Sequence, residues 1–142
     1  MKIIVEMNDK TILEAVRLVT MHFKDSEYFK TLRGVIFNHT KDDALFIEEN
    51  TMALDKIVYV KPYKTFSPWS KVIGYAQGNT IYVNTRKLDL PLKDRVENIR
   101  HEIFHLQGYS HKGNRVTEYN LKTVPYLGAN LFVKYLESIG KI

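Results

Sequence analysis

His101-Glu102-Ile103-Phe104-His105-Leu106-Gln107-Gly108-Tyr109-Ser110-His111 sets histidines at i, i+4 and i+10, a glutamate at i+1 and a glycine at i+7. On a helix, residues four apart stand one above the other, so His101 and His105 can aim ring nitrogens at a single ion. Glu102 lies about 100° round the axis from His101. That is off the ligand face but within reach of a water on the metal, the position of a general base. Gly108 falls where a left-handed residue commonly ends a helix, and only glycine takes that conformation cheaply. The chain can then turn back and supply His111 as a third ligand. Three protein ligands leave the fourth position of a zinc ion for water, as in catalytic rather than structural sites. The five positions should coincide by chance about once in 10⁵ chains of this composition. The competing reading is an amphipathic helix with Ile103, Phe104 and Leu106 in the core and its histidines exposed or satisfied. Against it, the motif holds three of only 5 histidines in the chain.

Outward from the motif, Asp94 with Glu97 predicts a capping box, and the motif helix should run to about Gln107. Residues 88–93, with Pro91, form a connector. Residues 71–77 and 80–84 predict two strands joined at Gly78-Asn79, a turn dipeptide, and so a hairpin. Residues 62–70, with Pro62, Pro68 and Trp69, predict a loop. Residues 2–7, 33–38, 45–47 and 57–61 are further strand candidates. Asn8 or Asp9 should cap a helix to about Phe23, with Ile12, Leu13, Val16, Val19 and Phe23 at helical spacing. A last helix is expected over 125–139, Pro125 near its first position and Gly140 near its end.

The composition suits one compact domain over residues 1–142. With 44% hydrophobic and 26% charged residues the chain is globular in character rather than disordered. There is no cysteine, so disulfides and thiolate ligands are excluded and His, Asp and Glu must carry any metal. Glu6 and Asp9 interrupt the first apolar run too early for a signal-peptide core. The expectation is a cytoplasmic protein that does not span a membrane. The formal charge of +5, spread along the chain, permits an anionic partner without requiring one.

At the motif the chain resembles the metzincin clan of zinc metallopeptidases, whose signature is HExxHxxGxxH. By that resemblance His101, His105 and His111 match the Zn²⁺ ligands, Glu102 the general base and Gly108 the turn glycine. Gly74-Tyr75-Ala76 resembles the G-x-A segment of the clan's antiparallel edge strand, which binds extended substrate. The resemblance implies an α/β (α+β) fold: a twisted mixed sheet with an N-terminal helix and the motif helix as floor, and a small C-terminal lobe ending in a helix. It also implies a metallopeptidase acting on a peptide or protein substrate. One departure is plain: metzincins carry a methionine turn beneath the metal, yet Met1, Met7, Met21 and Met52 all precede the motif. Val124-Pro125-Tyr126 echoes the clan's Met-x-Tyr order, with Val124 in the methionine's place and Tyr126 as a transition-state hydrogen-bond donor. Tyr109 and Tyr119 are weaker candidates for that donor. No long pro-segment is expected.

His105-Leu106-Gln107-Gly108-Tyr109-Ser110-His111 is similar, in turn, to the His-Leu-x-Gly-Tyr-x-His string of YbeY-type metal-dependent endoribonucleases. Those proteins usually have glycine where this chain has Glu102, and the resemblance implies a nucleic-acid substrate. A non-catalytic metal-binding protein is the third reading. His22 and His39 lie outside the motif, where surface or core roles are expected, and Trp69 is expected as a packing anchor or a cleft residue.

Overall fold

Asp9 opens the first helix as expected: its carboxylate accepts the Ile12 N–H at 2.9 Å. The computed structural model describes residues 1–142. Strand β1 (Lys2–Val5) is followed by α1 (Lys10–His22), α2 (Ser26–Leu32) and α3 (Ala44–Met52). Then come β2 (Ile57–Tyr63), β3 (Gly74–Gln77), β4 (Thr80–Asn84), α4 (Leu92–Leu106) and α5 (Ala129–Ser138). The chain is a mixed α+β fold around one sheet of order β1-β2-β4-β3. β1, β2 and β4 run parallel, while β3 pairs antiparallel with β4 as the outermost strand. Alternate residues Val58, Val60, Ile81 and Val83 are fully buried. They join Ile12, Leu18, Val96, Ile99 and Ile103 in one core, so the motif helix packs with the first helix against one sheet face. α5 packs on α2 and α4.

The hairpin forms where predicted, with Gly78 at φ 62 in its turn. β2 runs past its expected end through Pro62 and Tyr63. Pro62 is tolerated there because β1 has already ended on the side where its missing N–H would point.

Four expectations are corrected. Residues 33–38 make no strand; Asn38 forms only an isolated bridge with Thr123, and Gly34 at φ 79 breaks the extended run. Residues 45–47 are helical: the Asp43 carboxylate accepts the Phe46 N–H at 2.9 Å, and the buried pair Ile47 and Thr51 has helical spacing. A three-residue apolar run has no period of its own, so the cap decided it. The Asp94/Glu97 capping box is absent, because α4 already starts at Leu92, behind Pro91, with no side-chain cap. Finally, the last helix is split into a π-helical turn, Val124–Gly128, and α5. α2 was not predicted at all, although Tyr28, Phe29 and Leu32 form its buried face.

Candidate metal centre

Helix α4 carries two of the three histidines, and its opposite face explains why they are held firmly. Val96, Ile99, Ile103 and Phe104 are fully buried, leaving His101 and His105 half-buried at the helix surface. The helix stops as predicted. Gly108 takes φ 96, its N–H donating to the His105 carbonyl at 3.0 Å, and the Tyr109 N–H donates to the Phe104 carbonyl at 3.0 Å. Tyr109 is buried and donates its hydroxyl to Asp42 at 2.9 Å, which ties down the returning chain. His111 follows directly.

The three imidazoles converge. His105 Nε2 lies 3.1 Å from His101 Nε2 and 3.2 Å from His111 Nε2. Nitrogens at about 2.05 Å around a tetrahedral zinc stand about 3.3 Å apart, so the spacing is already close to that of a ligand set. The outer nitrogens show which atoms are free. His105 Nδ1 is 2.8 Å from the Tyr109 carbonyl and His111 Nδ1 is 2.7 Å from the Gly113 carbonyl. The Pro125 backbone likewise favours a proton on His101. Each carbonyl takes an N–H, which leaves the Nε2 lone pairs facing one another. Uncompensated lone pairs at that distance repel, and a cation between them removes the repulsion. Burial first, then the neighbouring imidazoles, lowers His101 to about 3, and burial lowers His105, which keeps both rings neutral as ligands must be. His101, His105 and His111 therefore fit a metal ion.

Glu102 is 5% exposed, and burial pushes its carboxyl up to about 7. The Tyr63 and Tyr126 hydroxyls are both raised, chiefly by burial and in part by the Glu102 charge. The Tyr126 ring lies 4.5 Å, centroid to centroid, from His101 and 4.9 Å from His111. The segment Val124-Pro125-Tyr126 thus runs against the histidines, and Val124 at its head is buried.

Gly74-Tyr75-Ala76 lies in β3 at the sheet edge, on the α4 side: a Cβ on Gly74 would meet the Tyr82 carbonyl at 2.6 Å and Asn98 Oδ1 at 3.5 Å. Tyr75 stacks on Tyr82 with centroids 4.8 Å apart, and Tyr63 meets Tyr75 edge-on at 4.9 Å.

Other candidates fall elsewhere. Tyr109 is committed to Asp42, and Tyr119 faces His39. His22 pairs with Asp25, whose carboxylate also accepts the Tyr135 hydroxyl. Trp69 is 86% exposed, so it anchors no packing.

Two supporting residues had gone unread. Asn120, fully buried, accepts the Lys112 N–H at 2.8 Å and donates to the carbonyls of Lys112 and Arg115 at 2.6 and 2.8 Å, clamping the loop behind His111. No sequence signal marks it. Arg100, also fully buried, stacks 3.7 Å over Phe104 and donates to Gln107, which donates to Thr51. Its i, i+4 spacing from Phe104 was the available clue.

Comparison with family models, with curated proteins and with solved structures finds no match. The functional reading rests on the motif and on this geometry.

Proposed function

We propose that the chain is a zinc-dependent hydrolase that cleaves peptide bonds. The observation that carries the reading is Glu102: a buried carboxyl, raised to about 7, one residue along the helix from His101 and off the ligand face. His101, His105 and His111 would hold a zinc ion, which when bound would supply an acidified water and a Lewis acid for the scissile carbonyl. Glu102 takes the proton from the attacking water and passes it to the leaving amine. Tyr126, beside two of the histidines, donates its hydroxyl to the developing oxyanion. β3, with one side unpaired, takes the extended peptide by backbone hydrogen bonds.

RNA cleavage is the second reading, favoured by the net charge of +5 and by the His105–His111 string. The base supplied by Glu102 ranks the peptidase first. The test sets the zinc-loaded protein against an unstructured protein, a peptide library and single-stranded RNA. Peptide cleavage abolished by chelation and restored by zinc is the expected result. RNA cleavage with no activity on any peptide would reverse the order, and zinc binding without turnover would leave a metal-binding protein. No helix is long and apolar enough to cross a membrane.

A further inference from the structure

An open cavity of about 880 Å³ lies at the loop that follows His111, lined by Lys112, Gly113, Arg115, His39 and Tyr119 among others. We propose that this cavity binds a carboxylate of the substrate peptide; the proposal rests on the peptidase reading and deepens it to a preference for acidic peptides.

The cavity adjoins the loop that carries His111: the Gly113 carbonyl in its lining is the partner of His111 Nδ1, on the outer edge of that ring. Its charge has one sign. No acidic residue lines it, and neither Lys112 nor Arg115 makes an ion pair with the rest of the chain. Exposed cations on a mobile loop would mean little, but this loop is held from below. Asn120 binds the Lys112 backbone at both its N–H and its carbonyl, and binds the Arg115 carbonyl as well. The rest of the lining is equally fixed. His39 sits at φ 65, a left-handed conformation that a residue with a side chain rarely adopts, and its surroundings impose it. The Asn38 N–H donates to the Lys122 carbonyl at 2.9 Å and the Asn38 side chain to the Tyr119 carbonyl at 3.1 Å. The Tyr119 ring stands edge-on to the His39 ring. A pre-set lining that carries two unpaired cations is suited to recognising a compact anion.

A carboxylate fits better than a polynucleotide. A phosphodiester chain needs cations spaced along the whole cleft, whereas Lys112 and Arg115 line a single cavity. β3, Gly74-Tyr75-Ala76-Gln77, packs on the metal helix and carries no charge. An extended peptide laid along β3 and over the histidines would bring one acidic group, a side chain or its own C-terminus, to the cavity.

The test is fluorescence anisotropy on the zinc-loaded protein with a labelled glutamate-containing peptide, its glutamine counterpart, and each of these with a free or an amidated C-terminus. Loss of one charge-assisted hydrogen bond corresponds to on the order of tenfold in affinity, so an acidic peptide should bind at least that much more tightly than the neutral, amidated one. Which substitution removes the advantage tells a side-chain carboxylate from a terminal one. The advantage should fall in Arg115→Gln and Lys112→Gln, with zinc content and melting temperature held at wild-type values as the check on folding. Equal binding of acidic and neutral peptides, or an advantage that survives the double variant, overturns the proposal. So does an RNA oligonucleotide that binds more tightly than the acidic peptide and depends on the same two residues. Hydrolysis is followed in parallel: an Arg115-dependent preference without cleavage of any peptide would sink the peptidase reading and support this site.

Discussion

His105 Nδ1 stands 2.8 Å from the backbone carbonyl of Tyr109, and that hydrogen bond decides which nitrogen of the ring meets a metal. The carbonyl can only accept, so Nδ1 carries the proton and Nε2 presents a lone pair. Tyr109 is placed by the Gly108 turn and held by Asp42. The ligand atom is therefore set by the return of the chain as well as by the helix.

The purified protein should carry about one equivalent of zinc, since three neutral imidazoles with an open fourth position suit that ion better than an oxygen-seeking one. Elemental analysis checks it. His105→Ala should lower occupancy sharply, and zinc should raise the melting temperature of the wild type in proportion to the logarithm of its concentration. Stoichiometric metal on a His101→Ala/His105→Ala double variant would refute the site.

Glu102→Gln keeps the size of the side chain and removes its capacity to accept a proton. Peptide cleavage should fall by on the order of 10² to 10⁴, the range general-base catalysis supplies, while zinc content stays at the wild-type level. Near-normal turnover in this variant would mean that the base lies elsewhere.

The raised Glu102 carboxyl has a consequence for stability with a definite sign. Its folded value of about 7 lies above the ordinary 4.5, so the native metal-free chain binds the extra proton. That contribution is complete below pH 4.5 and is lost as pH rises towards 7. His101 and His105 are lowered by burial and act in the opposite sense: the unfolded chain takes up protons first, from about pH 6.5 downward. Below pH 4.5 the carboxyl contribution no longer changes while His101 goes on losing stability down to about pH 3, so acidification through that window should destabilise the metal-free protein, as melting temperatures across it would show. Carboxyl-carbon NMR should find Glu102 titrating near 7 without metal and lower once zinc is added, because a cation nearby favours the carboxylate. A Glu102 that titrates at an ordinary value in the metal-free chain would contradict its burial.

Tyr126→Phe keeps the ring against His101 and His111 and removes only the hydroxyl. Loss of one oxyanion donor typically costs about 10² to 10³ in kcat. The loss should appear in kcat rather than KM, with zinc retained. An unchanged kcat would return Tyr126 to a packing role.

Gly128→Ala would put a methyl 2.8 Å from Cε2 and 2.9 Å from Cζ of Phe104. Overpacking of this kind costs about 1 to 3 kcal/mol. Because Phe104 is on the metal helix, zinc affinity should weaken along with the melting temperature. A variant as stable as the wild type would show that Phe104 can move aside freely.

The parts of this chain that are legible in sequence are those set by near neighbours. The cap at Asp9, the turn at Gly78, the end of α4 at Gly108 and the facing of His101 and His105 all follow from helix and turn geometry over a few residues. Residues 45–47 were misread because three apolar residues fit a strand or a helix equally well, and the choice fell to the Asp43 carboxylate.

Contacts between distant segments were decided by the tertiary structure alone. Local geometry alone requires that three imidazoles, a carboxyl and a turn glycine lie within one helix and its return, since 3.6 residues per turn and a left-handed glycine leave few other arrangements. It did not determine that Tyr126 would close against His101, that Asn120 would clamp the loop behind His111, or that Arg100 would stack on Phe104 out of reach of solvent. Nor did it determine that burial would raise Glu102 to about 7. Desolvation depends on every segment that packs round a group, and those segments meet only when the fold brings α4, the turn at 124–128 and the sheet together.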